Sequence, residues 1–207
     1  MLFAIYSRKE KQPGQILLYS QQTVGQAPSF RVDKRGSRRV NDDSLVCYTE
    51  QVNKKLLTRK KLLAVVQQLK RRGKIIVTTN GVFDLLHVGH VRYLREAKKL
   101  GDVLVVALNS DSSTHALKGP TRPLNAAQDR AEVLAALQSV DLVTIFSERD
   151  PRALLNRVKP HVHVKGGDYK LHDLPERDVV EENGGRVVLI KPSRGYSTTA
   201  TIARTRR

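Results

Sequence analysis

The sequence predicts an α/β fold in which helices flank a doubly wound, five-stranded parallel sheet. From Lys74 onward, short apolar runs rich in β-branched residues alternate with stretches whose apolar residues recur at helical spacing. Strands that alternate with helices of this length predict parallel pairing through right-handed crossovers. Clusters of Gly, His and Lys directly follow the apolar runs. In an open α/β sheet this carboxyl edge of the strands is where ligands bind.

The composition fits a soluble globular protein, because 40% of the 207 residues are hydrophobic and 28% are charged. The single cysteine, Cys47, excludes an internal disulfide framework and a multi-cysteine zinc site, and it favours a reducing, cytoplasmic setting. No apolar run approaches the ~20 residues of a membrane-spanning helix, so we expect no membrane association.

The basic charge is concentrated in the first third of the chain. Residues 1–73 hold 16 Lys and Arg against 5 Asp and Glu, and so contribute +11 of the net charge of +17. Residues 1–52 show no sustained periodicity, and we expect a disordered or loosely held basic extension there. Residues 53–207 are expected to form the folded domain.

A lead-in helix is predicted over residues 58–72. Thr58 can cap its amino end, and Gly73 is a natural stop. Its apolar stripe comprises Leu62, Val65, Val66 and Leu69. We expect this helix to pack against the domain.

The remaining elements follow from the periodicity and from local capping signals. The predicted strands are 75–77, 103–108, 142–146, 162–164 and 187–190. The predicted helices start after Gly89, at Ala126 with Asn125 as cap, at Pro151 with Asp150 as cap, at Pro175, and at Ser197 or Thr198. Ser112 to Leu124 is expected to be a long polar loop.

The segment between the first strand and its helix, NGVFDLLHVGH, has the strongest functional pattern. His87 and His90 lie on the first helical turn, where a spacing of three places both side chains on one face. Gly89 between them lets a ligand approach the backbone, and a helix start offers free N–H groups and a positive dipole end. Together these features predict a phosphate site.

Other kinds of site fit less well. The chain has neither a GxGxxG after a strand nor a GxxxxGK[ST] phosphate loop. Two histidines three apart can also hold zinc, but Cys47 stands alone and the other histidines form no ligand motif. A pair of structural histidines is the remaining alternative.

Three further segments follow predicted strands or open helices. Lys118 and Arg122 lie in LKGPTRP, where a lone lysine is most often a solvated turn residue. In KGGDY, the glycines allow a close backbone approach to a flat base or ribose, and the carboxylate can accept ribose hydroxyls or cap the turn. In YSTT, the hydroxyls at a helix start can bind phosphate or simply cap the helix.

TNGVFDLLHVGH resembles the first motif of the HxGH nucleotidyltransferases, the cytidylyltransferase-like group. KGPTRPLNAAQDRAEVLAAL, VKGGDY and GYSTT follow in the order and spacing of the heptose 1-phosphate adenylyltransferase branch. This branch also occurs as the C-terminal half of a bifunctional kinase/adenylyltransferase. The resemblance covers about Thr58 to Ala203, and it departs at Val82, where the branch commonly has Cys.

The resemblance implies roles for individual residues. His87, His90 and Lys118 would stabilise charge on the phosphates as catalytic groups. The resemblance leaves open whether Arg130 lies near the phosphates or makes a helix-surface salt bridge. The implied nucleotide- and phosphate-binding residues are Asn80, Gly81, Phe83, Asp84, Gly89, Arg130, Lys165, Gly166, Asp168, Ser197, Thr198 and Thr199.

The function implied by the resemblance is transfer of AMP from ATP, with Mg²⁺, to D-glycero-β-D-manno-heptose 1-phosphate. A homodimer and a separate sugar kinase acting upstream are also implied, since about 57 residues before the lead-in helix are too few for a kinase domain. One alternative is a cytidylyltransferase acting on glycerol 3-phosphate. The other is a nucleic-acid-binding protein using the basic extension, although its few aromatic residues are not regularly interleaved with basic ones.

Overall fold

The computed structural model describes residues 30–32, 38–40, 50–167, 170–191, 195–196, 198 and 201–202. The chain divides into two compact units, Met1–Gln51 and Val52–Arg207. Most of the predicted extension lies outside the described residues. Strands β1 (Phe30–Val32) and β2 (Arg38–Val40) pair antiparallel within it, although the sequence pattern predicts no strand there.

The second unit begins with helical structure, as predicted. A short helix, α1, covers residues 50–55, and α2 spans Arg59–Arg71. The Thr58 side chain caps α2 by accepting a hydrogen bond from the Lys61 amide. Leu62 and Val66 on its apolar stripe are fully buried, so α2 is held by packing on the sheet as well as by its cap.

Five parallel strands form the sheet, which confirms the predicted doubly wound α/β fold. They are β3 (Ile76–Gly81), β4 (Val103–Asn109), β5 (Leu142–Phe146), β6 (Val162–Gly166) and β7 (Arg186–Ile190). Their spatial order is β5-β4-β3-β6-β7. The chain therefore runs from the central β3 to one edge and then returns to the other side, so the strand order reverses between β3 and β6. A crevice for ligands opens at the carboxyl ends of these two strands.

Helices cover both faces of the sheet. They are α3 (Val88–Lys98), α4 (Asp111–Lys118), α5 (Ala127–Ala135), α6 (Arg152–Val158) and α7 (Arg177–Glu182), with a 3₁₀ turn at Leu171–Asp173. One buried cluster joins Leu94 of α3 and Leu134 of α5 to the sheet. A second cluster joins α2 and α6 to the opposite face. Within the described ranges, no helix is both long and apolar enough to span a bilayer.

The predicted polar loop from Ser112 to Leu124 is wrong in its first half, because α4 occupies it. Ser110 caps this helix by accepting from the Ser113 amide, and Ser113 and Thr114 are buried against the domain. Polar residues in a helix start resemble a loop in sequence, because the same side chains serve as caps and as turn formers.

The predicted Asn125 cap is also wrong. Helix α5 begins at Ala127, and the cap position is Ala126, which makes no side-chain hydrogen bond. The Asn125 side chain instead donates to the Asp84 carbonyl, 3.0 Å away. A similar shift of one residue affects α6, where Pro151 is the cap and Asp150 accepts from the Arg152 amide.

Candidate nucleotide-binding site

A cleft of about 680 Å³ lies at the carboxyl ends of the central strands. It brings together eleven of the residues that the sequence singles out. These are Asn80, Gly81, Phe83, Asp84, His87, Gly89, His90, Lys118, Lys165, Gly166 and Thr198. Asp168, Ser197 and Thr199 lie outside the described residues, and Arg130 lies behind the cleft.

The turn between β3 and α3 is packed around Phe83, whose backbone is in the left-handed region at φ 44°. Such a conformation is uncommon for a residue other than glycine, and it persists where the surroundings hold it. The ring is buried and lies edge-on to His90, with 5.3 Å between the ring centroids. A Cβ at Gly81 would come within 2.9 Å of the Phe83 ring, so this position has no room for a side chain.

The two histidines of HVGH stack on each other at the start of α3. Their ring centroids are 3.8 Å apart and the planes differ by 14°. His87 is the helix cap, and its Nδ1 accepts from the His90 amide at 3.3 Å. A Cβ on Gly89 would lie 3.0 Å from the His87 ring and 3.1 Å from the Tyr196 side chain. The glycine is therefore needed for space beneath the ring.

His90 is neutral in the free protein at pH 7. Burial, reinforced by the neighbouring His87, lowers the pKa of its imidazole to about 4. Its Nδ1 is buried and has no hydrogen-bond partner among the described residues. An unsatisfied polar atom of this kind is unusual outside functional sites, which favours binding over a purely structural role for the pair.

Asp84 holds the loop that follows α4. Its carboxylate pairs with Arg122 Nε at 2.5 Å and accepts from the amides of Leu124 and Asn125 at 2.8 and 3.1 Å. Burial raises the pKa of this carboxyl, but these hydrogen bonds outweigh burial and leave the pKa below its usual value. These contacts show that Asp84 holds the turn after α4.

Lys118 is the last residue of α4, and the predicted loop position is therefore corrected to a helix end. Its side chain is exposed and lines the cleft. No carboxylate among the described residues forms an ion pair with it. Arg122, its alternative in the sequence, is engaged by Asp84.

Arg130 supports the site from behind. Its side chain is 1% exposed and pairs with Asp111 at 2.7 Å. It also donates to the carbonyls of Val82 and Asn125 at 2.5 and 2.9 Å. Of the two alternatives that the sequence leaves open, these contacts favour the salt bridge, in which the arginine is buried and Asp111 is exposed.

Lys165 and Gly166 are the last two residues of β6 and form the opposite wall. The Lys165 ammonium donates to Asn80 Oδ1 at 3.1 Å and to Glu176 at 2.5 Å. A Cβ on Gly166 would come within 2.8 Å of the Tyr93 ring, so this glycine allows close packing. The Tyr93 hydroxyl in turn donates to the Val164 carbonyl and contacts Thr79.

Tyr196 and Thr198, two described residues near the C-terminus, lie beside the histidine turn. Thr198 donates from its hydroxyl to the Leu85 carbonyl at 3.1 Å. The Tyr196 ring lies 6.1 Å from the His87 ring, and the Arg92 guanidinium lies 5.6 Å from its centroid. This places two residues of the predicted YSTT segment, Tyr196 and Thr198, beside the HVGH turn.

Sequence reasoning missed several residues that line the cleft. They are Val82, Tyr93, Asn109, Leu117, Arg149, Asp150, Pro151, Asp173, Leu174, Pro175, Glu176 and Tyr196. Arg149 and Asp150 follow β5 at the same sheet edge, so the strand prediction could have identified them. Glu176 follows no strand directly, and no local pattern marks it.

Comparison with known proteins identifies the fold and its relatives. The cytidylyltransferase-like family model matches residues 78–204. "Bifunctional protein HldE" of Syntrophotalea carbinolica is 46% identical over 84% of this chain, and that of Geobacter metallireducens is 53% identical over 68%. These alignments cover 36% and 29% of the relatives, so the chain spans about a third of their length.

A solved structure is similar as well. The lipopolysaccharide core biosynthesis protein of Thermoplasma volcanium matches with a TM-score of 0.50 and 34% identity. The match covers 60% of this chain and 99% of that one. The family matches confirm the resemblance that the HVGH, VKGGDY and GYSTT motifs indicate.

Proposed function

This chain belongs to the cytidylyltransferase-like family, and we propose that it is an adenylyltransferase for a sugar 1-phosphate. The reaction is transfer of AMP from ATP to D-glycero-β-D-manno-heptose 1-phosphate, giving ADP-heptose and pyrophosphate. The observation that carries the proposal is the stacked His87–His90 pair at a helix start within the cleft. The similarity to bifunctional HldE proteins supports the heptose acceptor, because the motifs resemble the adenylyltransferase half of such enzymes.

In this reaction an ionised oxygen of the sugar phosphate attacks the α-phosphorus of ATP, and the bond to the pyrophosphate oxygen breaks. The nucleophile is already charged at neutral pH, so no protein base is needed. The protein's task is to align the two phosphates and to stabilise the charge on the transferring group. His87, His90 and Lys118 are the proposed groups, because they border one cleft and none is paired with a carboxylate among the described residues.

The β6 wall is proposed to hold the nucleoside part of ATP. Lys165 and Gly166 end the strand there, and we assign Asp168 beyond them to the ribose. Ser197, Thr198 and Thr199 are proposed to bind the triphosphate from the C-terminal segment. The position of Thr198 beside the histidine turn supports this assignment.

Mg²⁺ is proposed to enter with ATP. The described residues contain no group of three His, Cys, Asp or Glu side chains that could hold a metal ion. They do not form a protein site for Mg²⁺ by themselves, and Mg²⁺ commonly keeps waters and binds substrate phosphates. No residue is therefore assigned to the metal.

The same proposal places the enzyme in the cytoplasm, as a homodimer, with a sugar kinase supplying its acceptor. A kinase is one chemical source of the acceptor, because phosphoryl transfer to the anomeric hydroxyl gives a sugar 1-phosphate. Size-exclusion chromatography with light scattering tests the dimer.

The experiment is pyrophosphate release by the purified chain with Mg²⁺. ATP and CTP are each offered with heptose 1-phosphate and with glycerol 3-phosphate. Release from ATP with the heptose phosphate alone is the expected result. Release from CTP with glycerol 3-phosphate would replace this proposal with a cytidylyltransferase. No release from any pair, combined with salt-dependent binding to nucleic acid, would favour the nucleic-acid alternative.

A further inference from the structure

A buried acid, Glu176, lies behind the cation of the β6 wall. Its side chain is 2% exposed, and its carboxylate accepts from the Lys165 ammonium at 2.5 Å. His163 lies on the other side and is fully buried, with Nε2 3.8 Å from the same carboxylate oxygen. Ionised groups are rarely buried this deeply unless they are paired.

His163 contacts the acid without a hydrogen bond in this state. Its Nδ1 lies 2.9 Å from the Thr78 hydroxyl. Its Nε2 has no hydrogen-bond partner among the described residues, since 3.8 Å is beyond hydrogen-bonding distance. Glu176 therefore has a close ion-pair partner in Lys165, and the Nε2 atom of His163 lies nearby at 3.8 Å.

Lys165 connects this acid to the cleft. Its ammonium also donates to Asn80 Oδ1 at 3.1 Å, so it bridges the ends of β6 and β3. Asn80, Lys165 and Glu176 all line the cleft. A ligand that occupies this wall therefore meets a lysine that Glu176 helps to position and whose charge Glu176 compensates.

The consequence for binding is electrostatic. A lone ammonium would attract a phosphate, whereas an ammonium 2.5 Å from a carboxylate presents a dipole with no net charge. Burial raises the pKa of Glu176, but the neighbouring His163 and Lys165 outweigh it and hold the pKa at about 2. The acid is thus ionised at neutral pH, and its charge compensates that of the Lys165 ammonium.

We propose that Glu176 is the positioning residue for Lys165, and that it neutralises this wall so that the wall accepts the uncharged nucleoside part of ATP. This inference rests on the proposed function, because it assigns one part of the nucleotide to one wall of the same cleft. The phosphates would then bind at the opposite wall, which is formed by His87, His90 and Lys118. Among the described residues, no carboxylate forms an ion pair with these three side chains.

The test is a double-mutant cycle with Glu176→Gln, Lys165→Met and the double variant. Gln keeps the shape and a hydrogen-bond acceptor while removing the charge. ATP affinity is measured by calorimetry at constant salt, and Glu182→Gln on the exposed end of α7 is the matched control. We expect Glu176→Gln to weaken ATP binding by roughly tenfold, and to have no further effect once Lys165 is Met.

A merely structural role predicts another pattern. Glu176→Gln would then weaken ATP binding equally in the wild-type and Lys165→Met backgrounds, and this result would overturn the positioning role. Inorganic tripolyphosphate is a second probe, because it lacks the nucleoside. We expect Glu176→Gln to leave its affinity unchanged or to tighten it, and a tenfold loss would overturn the assignment of this wall to the nucleoside.

The pair is also tested without ligand, through the thermal unfolding midpoints of the same variants. We expect each single variant to lower the midpoint by roughly 5–10 °C and the double variant to lower it by about as much as one of them. Additive losses would overturn the pair. A coupled pair in a wild-type protein that binds no ATP would keep the pair and overturn the proposed function.

Discussion

The two walls of the cleft present their nitrogen donors differently. On the α3 side, His87, His90 and Lys118 face the cavity without a carboxylate partner among the described residues. Asp84 is the buried acid on that side, and it is occupied by Arg122 and by backbone amides. On the β6 side, the cation Lys165 is held by the buried Glu176.

The difference indicates how a single cleft can distinguish the two ends of a nucleotide. Uncompensated donors at a helix start favour groups on which negative charge develops. A compensated lysine favours neutral hydrogen-bonding groups. Changes on the α3 wall should therefore affect the chemical step, whereas changes on the β6 wall should affect nucleotide affinity.

The largest expected effect comes from His90→Ala. We expect kcat to fall by roughly 10²–10³-fold, the loss typical when one donor to transition-state charge is removed. The KM for ATP should change much less. His115→Ala, on the exposed face of α4, is the control and should retain full activity. A His90→Ala variant that lost affinity for ATP but kept its kcat would remove the distinction between the walls.

Asp84→Asn should have a smaller effect on activity and a clear effect on stability. Removing the charge leaves Arg122 without its carboxylate partner. The side-chain NH₂ of the new Asn must also face Arg122 or a backbone amide, and both of these are donors. We expect about 3 kcal/mol less unfolding free energy and roughly tenfold lower kcat/KM, because the loop carrying Arg122 loosens. Urea unfolding and initial rates measure the two quantities.

Asp102→Asn is the matched control for that change. Asp102 also accepts a backbone amide, that of Ile75 at 2.8 Å, and pairs with a basic side chain, Lys74. It is exposed and lies just before β4, at the amino end of the sheet and away from the cleft. We expect a much smaller loss of unfolding free energy than for Asp84→Asn, because solvent screens the exposed pair, and an equal loss in both variants would contradict the anchoring role of Asp84.

The α3 wall could be predicted from sequence because its information is local. The β-branched strand, the turn and the HVGH spacing all lie within the span from Lys74 to Gly101. The prediction that both histidines lie on the first helical turn holds for His90 only, because His87 is the extended cap residue of α3. Their rings stack because the cap side chain lies against that turn, where it accepts from the His90 amide. The parallel pairing of the strands likewise follows from the alternation of strands and helices, whereas their spatial order was seen only in the structure.

The β6 wall could be predicted only in part. Lys165 directly follows the predicted strand 162–164, so the sequence pattern indicates it. Glu176 contacts Lys165 from beyond a 3₁₀ turn, and no periodicity in the sequence predicts that turn. The role of Arg130 could not be settled from sequence either, because an arginine on a helix serves a phosphate or a buried acid equally well. Contacts between residues distant in sequence decide such cases.

The prediction that compares the walls most directly is the loss of stability in acid. The pKa of His90 is lowered from 6.5 to about 4 in the folded protein. As the pH falls, this histidine therefore binds a proton in the unfolded protein before it does so in the folded one. Stability is then lost between about pH 6.5 and 4. The pKa of Glu176 is lowered to about 2 from 4.5, so its contribution is complete above about pH 4.5 and is lost toward pH 2. Each shift corresponds to a contribution on the order of 3 kcal/mol.

Unfolding midpoints measured from pH 7 to pH 3 should therefore separate the walls. Glu176→Gln should flatten the curve below pH 4.5 and leave the upper part unchanged. His90→Asn should flatten the curve only partly above pH 4. The pKa values of His161 and His163 are lowered as well, so these two residues still make the unfolding midpoint depend on pH in that range. If Glu176→Gln instead changed the slope above pH 5, the acid would be titrating near its ordinary pKa. The β6 wall would then not be neutral in the way that the comparison requires.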